Sequence, residues 1–174
     1  MASTAMKTSA ELATPTDLKK TGTAKIAQVI NILVADAFSL YFKTKNFHWH
    51  MSGPNFRDYH ILLDEHADQI FATIDPLAER VRKLGHTTLR TVSEITELRN
   101  IKDSADTAIP PLAMLQELLE DNRSMAKSLR EAHAVCDDYD DIATASLIEV
   151  YLDETERRIW FLFETTRAAD RTGH

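Results

Sequence analysis

Glycine is scarce in this chain, with 4 among 174 residues, where roughly 7% is ordinary. An all-β sandwich or barrel, whose many turns lean on glycine, is disfavoured on that ground. A single cysteine, Cys136, excludes an intrachain disulfide framework. Positive charge is also short: 20 Lys and Arg stand against 27 Asp and Glu, a net charge of −7. A body of that sign repels phosphate, so a basic clamp for nucleic acid is not expected unless the basic charge gathers in a tail. The opening residues, MASTAMKTSAELATP, have no apolar run of a secretory signal. The longest apolar stretch, Ile26 to Phe42, is interrupted by Gln28, Asn31 and Asp36, and reads as too polar and too short for a membrane span. The expectation is a soluble protein of a reducing, cytoplasmic compartment.

What the chain does contain is 44% apolar residues, set at helical spacing. Residues 1–22, rich in Ser, Thr and Ala, read as a flexible N-terminal tail, residues 23–168 as a helical bundle, and residues 169–174 as a C-terminal tail. Ile26, Ile30, Leu33, Ala37 and Leu40 mark a first helix from about Thr23 to Met51. Ser52-Gly53-Pro54-Asn55 breaks it, with Asn55 as the expected cap of a second helix running to Leu84. Pro76 falls inside that helix, as a kink or as a fresh start behind Asp75. A long connection follows, with a short helix expected from Ser93, as cap, to Arg99. The third helix runs from about Pro111 to Val135, with Leu112, Leu115, Leu118 and Leu129 inward, and the fourth from about Asp141 to Ala168. Four long helices with one long crossover between the second and third predict an all-α, ferritin-like four-helix bundle.

Histidines and carboxylates crowd between Phe47 and Glu79. His60 with Asp64, and Asp75 with Glu79, are i,i+4 pairs, so each lies on one face of the second helix. Imidazole nitrogen and carboxylate oxygen together suit iron or zinc. Asp64 and Asp75 return to the same face within roughly 20°, yet sit about 16 Å apart along the axis. No single ion reaches both, so each pair is half a site. Two copies of this helix packed antiparallel about a two-fold axis near Ile70 would face each His60–Asp64 pair with the other copy's Asp75–Glu79 pair. Either pair alone reads as ordinary surface charge. Two pairs in phase, with His48-Trp49-His50 at the end of the preceding helix, read as function.

The run Asn46-Phe47-His48-Trp49-His50-Met51-Ser52-Gly53-Pro54-Asn55-Phe56, followed by His60…Asp64 and Asp75-Pro76-Leu77-Ala78-Glu79-Arg80, resembles the signature of the Dps family (DNA-binding protein from starved cells), the mini-ferritins. The detailed resemblance covers about Lys45 to Gly85, and the helix layout is compatible from Thr23 to Ala168. It implies a shell of twelve subunits that oxidises iron(II) between two-fold related subunits, with hydrogen peroxide the preferred oxidant in many members, and stores the ferric product. His48, His60 and Asp64 match the ligands from one subunit, and Asp75 and Glu79 those from the other, two irons to a site. Zinc is the expected competitor. Trp49 resembles the family's tryptophan beside the site, and reads equally well as a core or interface aromatic. His50 departs from the pattern, and its role as a further ligand stays open.

Lesser candidates read as structure. Asp138 to Glu149 lacks the central glycine of a calcium loop. His133 and Cys136 read as a helix-end imidazole and a buried thiol. Asp153, Glu154 and Glu156 read as a solvated face before an acidic pore. Lys7, Lys19, Lys20 and Lys25, with Arg167 and Arg171, make weakly basic ends through which the resemblance leaves DNA binding and nucleoid association open.

Overall fold

The computed structural model describes residues 12–167. Five helices run in the order α1 (Lys20–His50), α2 (Phe56–Lys83), α3 (Val92–Leu98), α4 (Pro111–Asp138) and α5 (Ile142–Thr166). No strand occurs among the described residues. The architecture is the all-α, ferritin-like bundle with a short extra helix in the long crossover. The hairpin α1–α2 packs against the hairpin α4–α5, chiefly through α1 on α4, and α3 lies against α1.

The apolar stripes form one core: Ile26, Ile30, Leu33, Leu40, Leu63, Leu77, Leu115, Leu118, Leu129 and Ile148 are fully buried. Leu112, expected inward, is 49% exposed on the first turn of α4. α2 continues unbroken through Pro76. Asn55 stands at its N-cap, but its side-chain amide donates to Tyr59 Oη instead of capping. α3 is capped by Thr91 rather than Ser93, in a capping box with Glu94. α1 begins at Lys20, three residues before the expected start, and α4 extends past Val135 to Asp138. Residues 1–11 and 168–174, most of the two expected tails, lie outside the described residues. Leu12 is held, because its carbonyl accepts from Arg82 Nη2 at 2.9 Å.

By length and composition α1 is apolar enough to cross a membrane, which corrects the reading from its polar interruptions. Its most apolar window is 56% buried within the bundle. Those interruptions have another use. Asn31 donates to the carbonyl of Thr87 at 3.2 Å and accepts from Thr88 Oγ1 at 2.9 Å. The fully buried Asp36 accepts from the backbone N–H groups of Asn100, at 2.6 Å, and Ile101, at 3.1 Å. Both therefore moor the crossover on either side of α3. The buried Lys43 adds a tie between hairpins, donating to Glu117 at 2.9 Å and Asp121 at 2.7 Å on α4.

Candidate metal centre

The turn between α1 and α2 is only five residues, Met51 to Asn55, with Gly53 at φ +101°. A side chain is strained at that φ, so glycine permits the reversal. It brings His48, near the end of α1, onto His60, at the start of α2. Their rings stack with centroids 3.7 Å apart and planes 19° from parallel. His48 Nδ1 lies 2.8 Å from the His60 carbonyl oxygen, and His60 Nδ1 lies 2.9 Å from the His48 carbonyl oxygen. A carbonyl only accepts, so each Nδ1–H donates to the other residue's backbone. The reciprocal clasp leaves both Nε2 lone pairs free. An Nδ1–H bond of this kind orients a metal-binding imidazole and raises its basicity.

Asp64, one turn along α2 from His60, places Oδ1 3.7 Å from His48 Nε2. Lys45, one turn before His48, places Nζ 2.6 Å from the same oxygen. The hydrogen bond from Lys45 holds the Asp64 carboxyl below the usual range, and the lysine is correspondingly raised. His48, His60, Asp64 and Lys45 thus stand together on one side of the hairpin.

Asp75 and Glu79 are exposed on the same face of α2, away from that group. Glu79 accepts from Lys83 at 3.2 Å, one turn on. Arg80, beside it, donates to Thr144 Oγ1 and Asp141 Oδ1, each at 2.6 Å, and pins this end of α2 to the start of α5. No group of three or more His, Cys, Asp or Glu side chains converges to hold an ion among the described residues. The donors of one chain are divided between two places on the α1–α2 hairpin. His50 joins neither: its Nδ1 lies 2.8 Å from the Asn46 carbonyl, and it lines a groove with Ser104 and Met114. Trp49 is 57% exposed and stands edge-on to Phe42, at 6.2 Å between centroids. Near the midpoint of the α2 stripe Asp68 and Phe71 are exposed, while Ile70 is buried.

Sequence reasoning did not single out Lys45 or Arg80. Their signals were weak. Lys45 shares a face with His48 three residues on, and Arg80 simply follows Glu79.

Residues 27–171 match the ferritin-like domain family. The chain is 30% identical over 138 residues to the DNA protection during starvation protein of Helicobacter pylori, covering 79% of this chain and 96% of that protein. The chain belongs to the Dps family. Its fold superposes on DpsC from Streptomyces coelicolor with a TM-score of 0.87, at 28% identity and coverage of 90% and 92% of the two chains. It superposes on the Vibrio cholerae Dps protein with a TM-score of 0.83, at 26% identity and coverage of 89% and 98%. That protein is described as a member of a broad superfamily of ferritin-like diiron-carboxylate proteins. This Dps chain therefore carries its histidine and carboxylate donors on a scaffold shared with diiron-carboxylate proteins.

Proposed function

We propose that this Dps protein oxidises iron(II) at sites between two copies of the chain and stores the ferric product inside a closed homo-oligomer, a dodecamer by analogy with its family. The observation that carries the reading is the reciprocal His48–His60 clasp, which leaves both imidazole Nε2 atoms free and sets that of His48 3.7 Å from Asp64 Oδ1. A second copy, packed antiparallel through α2, supplies Asp75 and Glu79. The exposed aromatics Phe42, Trp49, Phe56 and Phe71 on the α1–α2 hairpin support a buried contact there. Iron(II) is the substrate, held by two imidazoles and three carboxylates. Hydrogen peroxide is the oxidant: it takes one electron from each of two iron(II) ions and two protons, and leaves as two waters. The Asp64, Asp75 and Glu79 carboxylates hold the growing ferric charge. Trp49 stands beside His48 at this contact and is available to quench stray oxidant.

Mixing separates shared sites from sites within one chain. Chains with His60→Ala and Asp64→Ala are expected to be inactive, as are chains with Asp75→Ala and Glu79→Ala. Refolded together in equal amounts, half of the two-fold pairs are mixed, and each regains one of its two sites, or about a quarter of the wild-type rate. No recovery in the mixture, with assembly intact, overturns the intersubunit site.

A second reading, protection of DNA in the nucleoid, is favoured by Lys19, Lys20 and Lys25, all exposed at the start of α1. The net charge of −7 opposes it. A gel shift seen at low salt and lost at physiological salt is expected, since phosphate contacts weaken steeply with salt. Absence of any shift at low salt excludes this reading.

A further inference from the structure

Both carboxylate groups on α2 carry a lysine, and the two lysines differ in kind. Lys83 and Glu79 are neighbours on one helix and are about equally exposed, 59% and 58%. Such a pair is solvated and weak. Lys45 instead crosses from α1 to α2, with its side chain only 18% exposed, and touches Asp64 at 2.6 Å. Its side chain is mostly covered, and the carboxylate it reaches is 51% exposed. The oxygen it holds, Asp64 Oδ1, is also the one facing His48 Nε2 at 3.7 Å. An ion shared by His48 and Asp64 must either take that oxygen from Lys45 or turn the carboxylate about and sit beside a fixed positive charge.

We propose that Lys45 is the resident cation of this site: its ammonium occupies Asp64 until a divalent ion displaces it, and so sets the site's affinity for metal. The proposal rests on the reading of His48, His60 and Asp64 as an iron site. It explains how an Asp beside two imidazoles keeps its place before metal arrives. It also gives the site a threshold, since a cation must outcompete a tethered ammonium as well as shed its own water. Repulsion between a divalent ion and a nearby fixed charge lowers affinity whichever divalent ion is used, so the effect is readable without redox chemistry.

The test uses cobalt(II), followed by its visible absorption, and zinc(II), followed by calorimetry, on the assembled full chain. Lys45→Met keeps the packed stem and removes the charge. It is expected to bind both ions roughly three- to tenfold more tightly than wild type. Lys45→Arg keeps the charge and is expected to bind near the wild-type level. A merely structural lysine would change the melting temperature in Lys45→Met and leave both affinities alone, and that result overturns the proposal. Weaker binding in Lys45→Met overturns it as well. Asp64→Ala separates the two ideas. Loss of binding in Asp64→Ala together with unchanged binding in Lys45→Met rejects the role of Lys45 and keeps the site. Unchanged binding in Asp64→Ala rejects the site itself, and the role of Lys45 falls with it.

Discussion

His66 lies two residues from Asp64 but on the opposite side of α2, 3% exposed and edge-on to Phe161 of α5 at 6.5 Å. Burial, with Arg158 and Arg157 nearby, lowers its pKa to about 3. The unfolded chain takes up this proton below about pH 6.5 and the folded chain does not. His66 therefore contributes stability above pH 6.5 that is lost as the pH falls toward 3. Replacing it by Leu is expected to flatten the acid limb of a stability–pH curve measured by urea unfolding, and an unchanged limb rejects the assignment. Cys136 differs in kind. Burial raises its thiol to about 12, and it is fully enclosed, so it is expected to resist a thiol reagent until the protein unfolds. At this scale i,i+4 spacing, a local property, marked His60 with Asp64 and Asp75 with Glu79 as candidate donors, and the family resemblance added His48. It did not show Lys45 at Asp64, or the exchange of Nδ1–H bonds between His48 and His60. Both depend on how closely two helix ends approach in space.

At the scale of elements, periodicity carried the four long helices and the crossover. It failed at the ends, where single side chains decide. Thr91 displaced Ser93 as the cap of α3 because Glu94 is spaced to complete a box with Thr91. Asn31 and Asp36 looked like flaws in an apolar run and prove to be moorings for a distant loop, which no local pattern announces. Asp36→Ala strands two backbone N–H groups, one of them at the buried Ile101. The expected cost is about 3 kcal/mol, seen as a melting temperature roughly 6–12 °C lower. Wild-type melting in this variant would show that the crossover finds its acceptors elsewhere. Gly85 at φ +81° is a second fixed point: an added Cβ would lie 2.8 Å from the Thr14 carbonyl oxygen. Gly85→Ala is therefore expected to free residues 12–16 from the end of α2, measured as faster proteolysis of the N-terminal segment.

For the whole molecule, the α1–α2 hairpin presents apolar rings that a lone subunit leaves in water. Phe71 is 55% exposed and tilts against Tyr41 at 5.1 Å, in the middle of the α2 stripe that runs from His60 to Glu79. Phe71→Glu is expected to convert the assembly to smaller species on size-exclusion chromatography, with helical content kept and iron oxidation lost together. An intact assembly in that variant would place the subunit contact elsewhere. The in-phase pairs on α2 raised the expectation of such a contact, because helical phase survives in a string of letters. That Phe71 is exposed and Ile70 buried did not follow, since the two are adjacent and only packing decides which one turns inward.

The tight reversal at Gly53 gives the centre an order in time. His48, His60 and Asp64 are brought together by a turn of five residues, so this part exists once one hairpin has folded, on a newly made chain with no neighbour. On the proposed reading, Asp75 and Glu79 of a second molecule are added only when two subunits meet. A solitary subunit would then hold only part of the donor set. The proposed iron chemistry would be deferred until association completes it.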